Sequence, residues 1–144
     1  MADSTVRGAT AASRPRWPYL GRPQVLLLVA GLVTAVASLL PWLETVFGGT
    51  NGVLLGGMIT FYAALLAVPG AIWRRRGVVL AHALILAVPA IAIPTWRLAW
   101  ALRRLPALGE AWLPGPGLVL VLISGCVAAY AAMSLWWQSD ARHG

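Results

Sequence analysis

The sequence predicts an all-α, polytopic integral membrane protein of four transmembrane helices, with a short interfacial helix between the third and fourth. Three observations carry that expectation. The 144-residue chain is 60% hydrophobic and only 10% charged, whereas a soluble domain carries roughly 25% charged residues to cover its wet surface. Apolar runs of about 18 or more residues recur, long enough for an α-helix to cross a bilayer. The arginines gather between these runs rather than inside them.

The spans run from about Val25 to Trp42, Val53 to Trp73, Val78 to Trp96 and Leu118 to Trp137. At 1.5 Å per residue each is about 27–31 Å long, the thickness of the hydrocarbon core. Trp42, Trp73, Trp96 and the Trp136–Trp137 pair fall at the ends of these runs. An indole is apolar in its ring and polar at its N–H, so the membrane interface suits it, and the reading places all of these outside the core. The chain divides into a basic arm (1–23), expected to be a mostly disordered cytoplasmic segment, a transmembrane domain (24–137) and a tail (138–144).

A net charge of +7 would suggest nucleic acid in a soluble chain; here the arginines orient helices, and no nucleic-acid partner is expected. Arg7, Arg14, Arg16 and Arg22 precede the first span, Arg74, Arg75 and Arg76 separate the second from the third, and Arg142 follows the fourth. The connection between spans one and two has Glu44 and no base. Both termini are therefore expected in the cytoplasm, although Arg97, Arg103 and Arg104 would lie outside. Ala35–Ser38 ("AVAS") resembles a signal-peptide cleavage site, but the apolar run continues through it to Trp42, which reads as an uncleaved first span. Arginine without any lysine, in an Ala-, Gly- and Pro-rich chain, points to a high-GC bacterial genome and hence the bacterial cytoplasmic (inner) membrane. The single Cys126 cannot form an internal disulfide.

"GMITFYAAL" from Gly57 and "GCVAAYAAM" from Gly125 share Gly, then Tyr five residues on (Tyr62, Tyr130), then Ala-Ala and a long apolar side chain. The simplest account is a duplicated two-helix hairpin, with chance in an Ala- and Gly-rich chain as the alternative; true copies would be parallel repeats. Pro41-Trp42 closing the first span, followed by Asn51 and the glycines that open the second, resembles the SPW-repeat membrane proteins, small bacterial proteins of two-helix units with Ser-Pro-Trp closing the first helix. Here the triplet is Leu40-Pro41-Trp42, and the second hairpin has Pro94-Thr95-Trp96 with a residue inserted. The resemblance covers about a third of the chain and implies an architecture, with no established activity.

The spans contain no Asp, Glu, Arg or Lys, whereas pumps and ion-coupled transporters place an ionisable group at midplane. No nucleophile–base set, paired carboxylates, His/Cys metal cluster or phosphate loop can be found in the sequence, so neither enzyme activity nor a cofactor is expected. His82 is the one titratable group besides tyrosine and cysteine inside a span. It reads either as an axial ligand to haem or a chlorophyll-type magnesium, or as a neutral histidine bonded to Tyr130 or Ser134 at the same depth across the hairpin.

Gly48, Gly52, Gly56, Thr60 and Ala64, spaced by four, read as a small-residue face opening span two. Ser124, Ala128 and Ala132 offer another on span four. Such faces let helices approach closely in lipid, inside the bundle or against a partner. In "TWRLAWALRRL" (Thr95–Leu105), wound as a helix, Leu98, Leu102 and Leu105 gather on one side and Trp96, Arg97, Trp100, Arg103 and Arg104 on the other. With Pro94 before it and Pro106 after it, this reads as an interfacial helix that meets lipid headgroups or an acidic partner.

The function expected from these features is non-catalytic: an accessory, assembly or stabilising subunit of a larger membrane complex, held by the bilayer and by other integral subunits. An oligomeric small-solute or lipid-handling transporter, and a pigment- or haem-bearing subunit using His82, stay open as alternatives.

Overall fold

The computed structural model describes residues 21–45, 47–73, 75–104 and 112–140. Most of the basic arm, Arg74, the Leu105–Ala111 connection with Pro106 and Glu110, and the last four residues with Arg142 and His143 lie outside the described residues. The described chain forms α1 (Arg22–Leu39), β1 (Pro41–Thr45), β2 (Gly48–Asn51), a 3-10 turn (Gly52–Leu55), α2 (Gly57–Ile72), α3 (Arg76–Arg104), β3 (Trp112–Pro114) and α4 (Pro116–Asp140).

Local chemistry sets the boundaries. Pro23 sits in the first turn of α1, where its missing N–H is no loss. The Gln24 side chain reaches back to accept the Gly21 N–H at 2.7 Å, and its amide donates to the Trp73 carbonyl at 3.1 Å, tying the start of α1 to the end of α2. Leu40 is extended, as the residue before a proline prefers. Gly56, at φ +103°, joins the 3-10 turn to α2 through a conformation that a side chain would strain. Pro116 opens α4 in the same manner as Pro23 opens α1.

The four helices pack in a ring, each against its sequence neighbours and α4 back against α1, with α1 and α3 meeting only at the diagonal. Small side chains fill the axis: Ala30, Ala64, Ala67, Ala83, Ala87 and Ala128 are buried around Leu27 and Leu86. Large ones point outward, among them Val29, Leu32, Val36, Leu84, Val88 and Ile123. In water that would leave an apolar patch far larger than a soluble monomer tolerates; lipid solvates it, and close Ala packing supplies the dispersion contacts that hold helices together there. By length and composition α1, α3 and the Pro116–Trp137 part of α4 can cross a membrane, whereas α2 has 16 residues and is shorter.

Two features differ from the sequence reading. The hairpin connection is not a plain turn: β1 is the centre of a three-stranded antiparallel sheet in the order β2-β1-β3, which caps the end of the bundle opposite the α2–α3 turn. Residues 95–104 are not a separate interfacial helix either, because α3 runs unbroken from Arg76 to Arg104 through Pro89 and Pro94. A proline removes one backbone donor, and neighbouring helices make this tolerable in transmembrane segments; Pro94 is fully buried among them. At 29 residues α3 is roughly 43 Å long, so one end stands beyond a hydrocarbon core of about 30 Å unless the helix tilts.

Candidate functional site

Four buried hydroxyls stitch three helices together. Thr34 on α1 lies 2.7 Å from Ser124 on α4, and Ser38, one turn further along α1, lies 2.7 Å from Thr60 on α2. Each oxygen also lies within hydrogen-bond distance of a carbonyl of its own helix, Thr34 of Ala30, Ser38 of Thr34, Thr60 of Gly57 and Ser124 of Val121. Among the described residues no buried side-chain nitrogen or oxygen is left without a partner, which a low-dielectric interior demands.

Beyond this ladder Trp42 closes the bundle. It is the largest fully buried side chain among the described residues, and its Nε1 donates to the Ala37 carbonyl at 3.2 Å. This corrects its expected place in the interface. Pro41 pairs with Asn51 and Leu43 with Thr50, so Trp42 is the extra residue of a β-bulge, and a bulge re-aims one side chain. Its ring lies where a Cβ on Gly52 or Gly117 would stand. The other tryptophans expected at span ends, Trp73, Trp96, Trp136 and Trp137, are exposed.

Gly48 lies in β2, Gly52 opens the 3-10 turn and Gly56 ends it, so these three do not form a helical face with Thr60 and Ala64. The buried face of α2 is Gly57, Thr60, Ala63, Ala64, Ala67, Gly70 and Ala71, and it serves the protein's own bundle. On α4 the residues 68 positions later, Gly125, Ala128, Ala131, Ala132 and Leu135, are buried in the same pattern, while Tyr62 and Tyr130 both face outward. Tyr62 meets Phe61 edge-on at 6.0 Å.

The last turns of α3 pack on the sheet through Ala101, which clusters with Leu43, Leu55 and Trp112. Arg97 turns inward as well, its Nε donating to the Leu55 carbonyl at 2.8 Å and satisfying the end of the 3-10 turn. On these turns Pro94 and Ala101 are buried, Arg97 and Leu98 are half-buried and Leu102 is exposed, while Leu105 lies outside the described residues. Trp96 (73% exposed), Trp100 (43%), Arg103 and Arg104 face outward and line a shallow cleft of about 290 Å³. At the same end Phe47 stands 87% exposed at the tip of the hairpin.

His82 does not bond Tyr130 or Ser134. Its Nδ1 lies 2.8 Å from the Val78 carbonyl one turn back, and since a carbonyl only accepts, Nδ1 carries the proton. Ser134 donates to the Ala131 carbonyl of its own helix at 2.8 Å. The imidazole instead packs on α2 at Gly70, where any Cβ would collide with it. The missing side chain at Gly70 leaves room for the ring between the helices, a contact that depth along the spans could not reveal. With Pro69, Trp73, Arg75 and Val78, these two residues line an open cleft of about 690 Å³ at the α2–α3 end. Arg76 at that end donates to the Leu135 carbonyl at 2.7 Å, fastening α3 to α4. Among the described residues no group of three or more His, Cys, Asp or Glu could hold a metal ion.

In comparisons with protein families, with curated proteins and with solved structures, nothing matches the chain.

Proposed function

We propose that the protein is a non-catalytic accessory, assembly or stabilising subunit of a larger complex in the bacterial cytoplasmic membrane, with both termini cytoplasmic and the sheet outside. The observation that carries this reading is the outer surface of α3. Ala101 and Arg97 are committed to the fold, while Trp96, Trp100, Arg103 and Arg104 are left exposed beside them. Trp and Arg are the residues that most often anchor protein interfaces, and here they stand on a rigid helix braced by a sheet. The interior supports the same reading: Ala contacts and paired hydroxyls leave the bundle axis committed to packing. The matching burial of α2 and α4 supports a duplicated hairpin, the architecture that the SPW-repeat resemblance implies.

The test is a native gel of membranes solubilised in mild detergent. The chain should migrate in an assembly larger than its own dimer, and replacing Trp96, Trp100, Arg103 and Arg104 together by Ala, Ala, Gln and Gln should release it. Migration of the unaltered chain only as monomer or dimer would overturn the proposal and favour the oligomeric transporter reading.

A further inference from the structure

The α2–α3 end carries a second feature, independent of the outer face. Pro69 near the end of α2 and Trp73, the extended residue that caps it, both border the same two clefts and so form one ridge. A groove lies on each side of it. One, of about 690 Å³, continues to Gly70, Val78 and His82. The other, of about 560 Å³, continues to Ile72. Both end at Arg75, whose side chain is exposed and has no hydrogen-bond or ion-pair partner among the described residues.

One cation from which two apolar grooves diverge matches a ligand with one anionic group and two hydrocarbon chains. We infer that this end of the bundle binds one anionic diacyl phospholipid, its phosphate on the Arg75 guanidinium and its chains in the grooves on either side of the Pro69–Trp73 ridge. Charge supports the choice of occupant: the chain carries +7, and an arginine at a leaflet surface draws anionic over zwitterionic lipid. A guanidinium grips phosphate oxygens in a two-pronged bond that a lysine cannot reproduce. Trp73, 57% exposed, suits the level where chains meet headgroups. His82, pinned by the Val78 carbonyl, forms part of the wall of the first groove.

The experiment is native mass spectrometry of the full chain in detergent, offered phosphatidylglycerol or phosphatidylcholine with identical chains. The expected result is one retained phosphatidylglycerol per protein and little phosphatidylcholine. Arg75→Gln should lower retention about fivefold, the effect of one basic residue at an anionic surface. Arg22→Gln, which removes the same charge at the same end from an exposed residue that lines neither groove, should leave retention unchanged, and excess inorganic phosphate should not displace the lipid. Equal retention of the two lipids, an equal loss in Arg22→Gln, or displacement by free phosphate would each overturn the inference. None of these outcomes bears on the native-gel test of the outer face, so the two proposals fail separately.

Discussion

The hydroxyl oxygens of Thr34 and Ser124, ninety residues apart in the chain, lie 2.7 Å apart in the bundle interior. The pair has two protons and three bonds to fill: Thr34 to the Ala30 carbonyl, Ser124 to the Val121 carbonyl, and one hydroxyl to the other. Two of the three can be made at once, so whichever hydroxyl donates across the helices gives up its own carbonyl. Thr34→Val keeps the shape and leaves Ser124 free to donate to Val121. The expected cost is therefore small, roughly 0.6 kcal/mol and at most about 1.7, as for other interhelical bonds in membranes. A double-mutant cycle of Thr34→Val with Ser124→Ala, read by unfolding in mixed micelles, checks it; a coupling near zero would deny the bond.

Trp42 and Trp73 both end apolar runs, yet only Trp42 is buried. Trp42→Ala should cost about 3–5 kcal/mol, as other buried aromatics do, and should loosen the sheet that Trp42 anchors. Trp73→Ala should stay within about 0.5 kcal/mol, the usual range for a surface position. Unfolding midpoints, together with protease cleavage within 44–51, measure both effects.

Two glycines near the α2–α3 turn should respond with opposite signs. Gly70→Ala drives a methyl into the His82 ring and should destabilise by about 1–3 kcal/mol, the range for overpacking. Gly77 has nothing within 4 Å of a Cβ, so Gly77→Ala should stabilise by about 0.4–1 kcal/mol through the unfolded state. Thermal unfolding of the two variants side by side is the check.

Arg97 and Arg103 lie within two turns of one another on α3, but only Arg97 bonds the Leu55 carbonyl. Arg97→Met keeps the apolar stem and removes the donor, which should cost about 1.5–3 kcal/mol, the worth of a charged hydrogen bond. Arg103→Met should change stability by less than about 0.5 kcal/mol. Equal losses in unfolding experiments would mean that Arg97 acts by charge alone.

The helices were legible because hydropathy records them: apolar runs of spanning length can hardly be anything else, and Ala at helical spacing marks the buried face. The sheet was not legible. Its strands are three to five residues long, one is Gly-Gly-Thr-Asn, another ends in Pro114, and none alternates apolar with polar residues. Trp42 was misplaced because a tryptophan at the end of an apolar run looks the same whether it faces lipid or folds inward. The trace of its burial is the room left by Gly52 and Gly117, which is visible only once the bulge brings them together. Pro94 read as a boundary because local rules treat proline as one, while tertiary packing carried α3 through it. Arg97 was grouped with the exposed arginines since composition cannot show which guanidinium turns back to a carbonyl. The ridge of Pro69 and Trp73 has no signature in the sequence, because its meaning depends on the two grooves beside it.

The central claim is that the exposed face at the end of α3 meets another protein. Its most direct measurement places a photo-crosslinking residue at Arg103, and separately at the outward-facing Ile123 on α4, in cells expressing the full chain. The account predicts a discrete protein adduct from position 103 that position 123 does not give. Adducts with lipid alone at both positions would contradict it.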